Sequence, residues 1–271
     1  MSNNMHSERI STRYKLRHVF LVRAATITIG CFGILWGLFE LPRFWRESTV
    51  ETISDRIVAG DEFKPETLYQ QLPILENIEN YASCRPAALR GAAIIRLRIF
   101  ERLKDSQKRS EEQPKVAEVI RNSLSCAPAD AFLWLALYSL GVNELGRDPE
   151  VFNALRLSYR VGPHEGWVAI KRSQLVFASF RAMPPDLHEA AIKEFTELVH
   201  DDAFYGAAAE ILIGPGWPER DLILPHLAEL SESRRARFFA ALSGRGYVLV
   251  PGVGLEPADS HRFAPQIRVP Q

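Results

Sequence analysis

This chain carries no excess of charge: its 33 Lys and Arg balance 33 Asp and Glu over 271 residues. The balance excludes the basic stripe with which a nucleic-acid-binding protein displaces counterions, so no nucleic acid partner is expected. Cysteine is scarce. The three present form no CxxC pair and have no histidine within a few residues, which excludes the usual zinc spacings. The seven histidines form no HxxxH or HExxH pair. His200-Asp201-Asp202 reads as a cationic helix end followed by an acidic helix start, not as a ligand set. Gly214-Pro215-Gly216-Trp217-Pro218 lacks the Lys-Ser/Thr of a phosphate loop and follows no strand; it reads as a rigid turn, or as a turn presenting Trp217. No serine sits in a GxSxG elbow. Enzyme activity, a cofactor and a metal are therefore not expected. Period-2 alternation is also missing, apart from the short Tyr247–Val250.

What the chain does have is one long apolar run. Ala24–Phe39 holds sixteen uncharged residues after a basic N-terminus. At 1.5 Å per residue it spans roughly 24 Å, short of a ~30 Å hydrocarbon core. Counting from Val19 extends it to 21 residues, with Arg23 near the edge, where its long stem snorkels to the headgroups. Trp36, Phe44 and Trp45 suit an interfacial aromatic belt. Before the run stand Arg9, Arg13, Lys15, Arg17 and Arg23 against Glu8; after it, Glu40 and Glu47 offset Arg43 and Arg46. The positive-inside rule keeps the N-terminus in the cytoplasm and exports the chain from about Leu41. A cleaved signal peptide is disfavoured because Leu38-Phe39-Glu40-Leu41-Pro42 has no small residues. Lipoprotein processing at Cys31 is disfavoured by the seven-residue run between Arg23 and Cys31. A buried core helix is disfavoured because the run is apolar on every face and has a charge step across it. The expected plan is a basic tail at 1–18, a transmembrane helix at 19–41, a helical domain at 47–250 and an extended Pro-containing tail at 251–271.

Segment 1–46 holds seven Lys/Arg and two Asp/Glu, which leaves 26 against 31 in the rest, about −5. With 46% hydrophobic residues and five Trp, that remainder can bury a substantial core. Within it, Ser83-Cys84-Arg85-Pro86-Ala87 recurs as Ser125-Cys126-Ala127-Pro128-Ala129, with a looser copy at Val161-Gly162-Pro163-His164. Pro128 to Pro163 is about 35 residues; Pro86 to Pro128 is longer by roughly the polar, low-order stretch Asp105–Pro114. Periods of this size mark helix-pair solenoids, and a Pro early in each copy suits a first helical turn. Helices are expected over Thr52–Ala59, Glu66–Asn80 with a break at Pro73, Ala87–Leu103, Val116–Leu124 and Ala131–Val142. Further ones are expected over Glu150–Tyr159, Gly166–Phe180, Leu187–Val199, Phe204–Leu212, Asp221–Leu230 and Arg234–Leu242. The fold class is all-α.

Pro128–Pro163 resembles a tetratricopeptide-type repeat: Trp134 falls at the family's aromatic position, Leu137 at its leucine, Ala154–Leu157 at the second-helix small and apolar positions, and Pro163 closes the unit. Tyr138 departs from it, standing where the family has a small residue. The resemblance implies a right-handed helical-repeat domain whose first helices face a groove, lined by Phe132, Leu135 and Ser139 in one unit and Trp167, Ile170 and Gln174 in the next. Trp167 is the leading candidate because Lys171, Arg172 and Gln174 make its helix a mixed polar one. Cys84 and Cys126 take matching places in adjacent copies, so in an oxidising compartment they are expected to pair, the alternative being two buried thiols. Cys31 lies in the apolar run as inert packing. The overall plan also looks like anchored repeat proteins of bacterial surface-polysaccharide assembly, which implies a bacterial inner-membrane protein with a periplasmic C-terminal domain. The expected function is a membrane-tethered adaptor scaffolding protein partners in surface-polysaccharide assembly or export. The alternative is a helical glycan-binding domain or enzyme near Trp217, Arg220 and Asp221.

Overall fold

The computed structural model describes residues 3–80, 84–142, 149–250 and 254–258, and the chain divides into a unit of Met1–Ile99 and a unit of Phe100–Gln271. Helices dominate both.

In the first unit, α1 (Asn3–Val58) is one continuous helix of 56 residues. Its segment Arg23–Leu41, 19 residues of mean hydropathy 1.6 with none buried inside the protein, is long and apolar enough to cross a membrane. The helix expected separately at Thr52–Ala59 is the end of α1. The residues that would cap a new helix instead donate back along the existing one: Thr49 Oγ1 to Trp45 O at 3.1 Å and Thr52 Oγ1 to Ser48 O at 2.8 Å. After Gly37 the next glycine is Gly60, whose φ of 98° supplies the left-handed residue that ends the helix. There Gly60 N donates to Ile57 O and Asp61 N to Arg56 O.

Short helices α2 (Pro65–Tyr69) and α3 (Leu72–Glu79) follow, with the break falling just before Pro73. Helix α4 (Pro86–Glu101) passes close to the end of α1: a Cβ on Gly91 would lie 2.9 Å from Val50 Cγ1. Val50, Ile53, Leu75, Ile78 and Ile95 are buried. Arg96 donates from Nε and Nη2 to the two carboxylate oxygens of Glu79, each at 2.9 Å, and Arg85 pairs with Glu47. The last turns of α1 thus belong to this unit's core.

The second unit opens on α5 (Ser106–Cys126), where the structure corrects the expectation of a polar insertion before a short helix. Asp105 accepts from the backbone N–H of Gln107 and Lys108, so the charged stretch is the capped N-terminal half of one long helix. Gln113 within the polar stretch is buried and donates from Nε2 to Leu140 O at 2.8 Å; the other buried residues, among them Val116, Ile120 and Leu124, lie from the middle of the helix onward. Removing the stretch to bring Pro86 and Pro128 to a common period is therefore not justified.

Helices α6 (Ala131–Val142) and α7 (Pro149–Val161) form an antiparallel pair. Gly141 near the end of α6 faces Val151 near the start of α7, while Ser158 near the end of α7 donates to Ala131 O at 2.8 Å. Helix α6 starts at Ala131, three residues past Pro128; the side chain that opens it is Asp130, which accepts from Leu133 N at 2.9 Å. Its burial of Leu133, Leu135, Tyr138 and Leu140 follows from a sequence apolar on nearly every face.

A second antiparallel pair is α8 (Gly166–Ala178) and α9 (Pro185–His200), joined by a 3-10 turn over Phe180–Ala182. Phe177 meets Phe195 edge-on at 5.7 Å, and His188 stacks on Phe180 while its Nε2 contacts Phe180 O at 2.7 Å. The pairs stack in register: Phe132 at the start of α6 meets Trp167 at the start of α8, and the Tyr138 hydroxyl bonds Ser179 Oγ at 2.7 Å beyond the end of α8. Arg156 on α7 pairs with Asp186 on α9 at 2.7 Å.

Helix α10 (Tyr205–Ile213) packs on both α8 and α9 and pairs with α12 (Glu232–Ser243). The single helix expected at Asp221–Leu230 is instead a turn of α11 (Arg220–Ile223) followed by a 3-10 stretch over Leu224–Glu229, because Pro225 has no N–H to continue an α-helix. Within the segment expected as an extended tail, Gly254–Pro257 forms a strand, β2, that pairs antiparallel with β1 (Tyr247–Val250), and Leu255 is fully buried. The rest of that tail lies outside the described residues.

Candidate functional site

The residues expected to line a groove divide into two sets. Phe132 and Trp167 are half-buried and pack with ring centroids 5.2 Å apart, bridging α6 and α8. Ile170 is half-buried and Gln174 exposed, one and two turns along the same face of α8; Leu175 beside them is 38% exposed. Ser139 is half-buried. Leu135 does not belong with them: at 1% exposure it is core, because its face of α6 turns toward the neighbouring helices. Trp134, the aromatic of the repeat-like pattern, donates from Nε1 to Pro128 O at 2.8 Å and so fixes the loop that opens α6.

The other face of α8 holds what the sequence did not disclose. Arg172, read as part of a polar helix, is the largest side chain buried to 0% exposure. Its Nε donates to both oxygens of Glu194 at 3.0 Å, its Nη1 to Ser158 Oγ at 2.9 Å, and its Nη2 to Gly162 O at 3.0 Å and to Glu194 Oε1. The guanidinium lies 4.3 Å over the Tyr159 ring. Since Ser158 also reaches Ala131 O, the network ties α6, α7, α8 and α9. Every nitrogen of the guanidinium is engaged by protein, so the pair joins helices and offers nothing to a ligand. Burial pushes the Glu194 carboxyl up and Arg172 pulls it back down. Burial also pushes the Tyr159 phenol well up, with the Glu194 charge adding to it. A signal was present in the sequence: Arg172 falls in the stripe Val168, Ala169, Ser173, Val176, and Glu194 in the stripe Leu187, Ala191, Leu198. Charges of opposite sign inside two adjacent apolar stripes mark a buried pair.

Two glycines permit this packing. A Cβ on Gly162 would run into Ala131, and one on Gly166 into the Phe204 ring. Beside Gly166, the start of α8 and the end of α9 border an open cavity of about 200 Å³, whose lining includes Ala169, Glu194, Glu197, Leu198, Asp201 and Phe204.

Trp217 is half-buried in a 3-10 turn, Trp217–Glu219, with Tyr247 edge-on at 5.2 Å. Arg220 lies 4.4 Å over the indole, donates to Trp217 O at 3.1 Å and sits 3.9 Å from Glu256. The Arg220 guanidinium thereby fastens the hairpin to this turn, and Asp221 is exposed beside it. Cys84 and Cys126 are within disulfide distance, and Cys31 is a free, exposed thiol. Among the described residues, no group of three or more His, Cys, Asp and Glu could hold a metal ion.

The geometry defines a class, a chain with a membrane-length helix in its first unit and a stack of antiparallel helix pairs in its second. No protein-family model, curated protein or solved structure matches the chain.

Proposed function

We propose that the protein is a single-pass, membrane-tethered adaptor whose helix-pair stack holds a protein partner outside the cytoplasm, in the surface-polysaccharide assembly or export that its resemblance implies. The observation that carries this is the Phe132–Trp167 pair. Two large rings meet at the junction of successive helix pairs, each packed on the core along one side and partly open to solvent on the other, with Ile170, Gln174 and Leu175 continuing the same face. Half-exposed aromatics flanked by apolar and amide side chains are the composition of an interface centre. Stacked helix pairs present such faces in series, which suits extended partners.

A photo-crosslinking side chain in place of Gln174 tests the reading in intact cells. A discrete protein adduct is expected, and Trp167→Ala is expected to reduce it, since truncating an aromatic anchor costs about 2 kcal/mol or more of binding. The same variant also removes the ring's packing on the core and on Phe132, so it should lose some stability, but less than the ~3–5 kcal/mol of a fully buried tryptophan. An adduct insensitive to Trp167→Ala, or a core-sized loss of stability, overturns the role of this face.

The orientation has its own test. The basic cluster Arg9–Arg23 supports a cytoplasmic N-terminus with the helix-pair stack on the far side. A reporter fused after Gln271 that works only when exported is expected to be active. Activity from a cytoplasm-only reporter there would reverse the topology.

A further inference from the structure

We propose that the cavity between the start of α8 and the end of α9 is a receptor for one guanidinium or ammonium group, supplied as an arginine or lysine side chain of a partner polypeptide. It opens on a different face of the first turn of α8, that of Gly166 and Ala169, and Trp167 is not among its lining residues. Three features select this ligand. The first is charge. Glu194, Glu197 and Asp201 all line the cavity. Glu194 is neutralised from behind by Arg172. Glu197 and Asp201 are exposed and, among the described residues, have no cationic partner; Asp201 Oδ1 accepts only from the Ala203 amide at 2.9 Å. The N-terminal end of α8 and the C-terminal end of α9 meet here, so their opposed dipoles offset one another and the side chains set the sign.

The second feature is the wall. The Phe204 ring is held against Gly166, where any side chain would collide with it, and Ala169 and Leu198 are apolar. A ring face attracts an organic cation, and apolar walls accept the methylene stem of an arginine or lysine while its head meets the carboxylates. The third is coordination. With Glu194 saturated by Arg172, two carboxylates remain, too few to replace the oxygen shell of a divalent metal ion. His164 also lines the cavity. At about 200 Å³ the space suits a single side-chain head and not a folded element.

The test uses the full chain in detergent, titrated with N-acetyl-arginine amide and, in parallel, the neutral isostere N-acetyl-citrulline amide, followed by saturation-transfer NMR. The arginine probe is expected to bind and the citrulline probe not. Glu197→Gln combined with Asp201→Asn keeps both side-chain volumes and the Oδ1 acceptor for Ala203. It should unfold at the parent temperature and bind the arginine probe at least tenfold more weakly. Trp167→Ala should leave the titration unchanged, so this inference and the adaptor reading fail separately. Equal binding of both probes, or no loss in the double variant, overturns the proposal. So does binding that appears only after Arg262→Gln and Arg268→Gln, which would make the occupant the chain's own C-terminal segment.

Discussion

Glu194→Gln is expected to cost about 3–5 kcal/mol of folding stability, the loss seen when one member of a buried ion pair is removed. For a chain of this size that lowers Tm by about 10 °C. Glutamine preserves the shape of the side chain but leaves the Arg172 guanidinium, at 0% exposure, without an opposing charge. The protein cannot relieve this by shifting a proton, because arginine stays ionised in proteins. Denaturant titration of the parent and the variant gives the difference directly. Arg172→Met with Glu194→Leu should recover most of the loss. Both charges then leave together, and Ser158 keeps its bond to Ala131 O. A Glu194→Gln variant within about 1 kcal/mol of the parent would mean that water reaches the pair and that it does not clamp the helix pairs.

Reducing the disulfide of Cys84 and Cys126, or replacing both by serine, should lower stability by about 4 kcal/mol. That is the chain-entropy value for closing a loop of about 40 residues. The effect is expected in protein recovered from an oxidising compartment, and the check is thermal unfolding with and without reductant. Peptide mapping in which both thiols alkylate without reductant would show that the bond does not form in the cell.

The helices were legible where local signals agree with burial. Ala131–Val142 is apolar on nearly every face and has no fully exposed residue; Pro184-Pro185-Asp186 opens α9 as a proline-started helix should. They were misread where polarity was taken for disorder. Asp105–Pro114 is hydrophilic, yet a capped helix needs only a few buried positions near its far end to stay formed. The same bias ended α1 too early and stopped the ordered chain at Val250, although a two-residue alternation at Tyr247–Val250 was visible and needed only its partner strand.

The candidate surface was half legible. Trp167 could be named from its spacing after Pro163, but the ring of Phe132 beside it and the burial of Leu135 depend on how α6 rotates against its neighbours. Local sequence determined the membrane-length helix, the all-α class and the positions of most helix starts, because hydrophobicity, proline and capping act within a few residues. Only the tertiary structure decided that Arg172 is core and not surface, which aromatics remain half-exposed, and that a small cavity flanked by carboxylates opens between α8 and α9. Those outcomes arise from side chains brought together across ten or more residues of chain, and only packing brings them into contact.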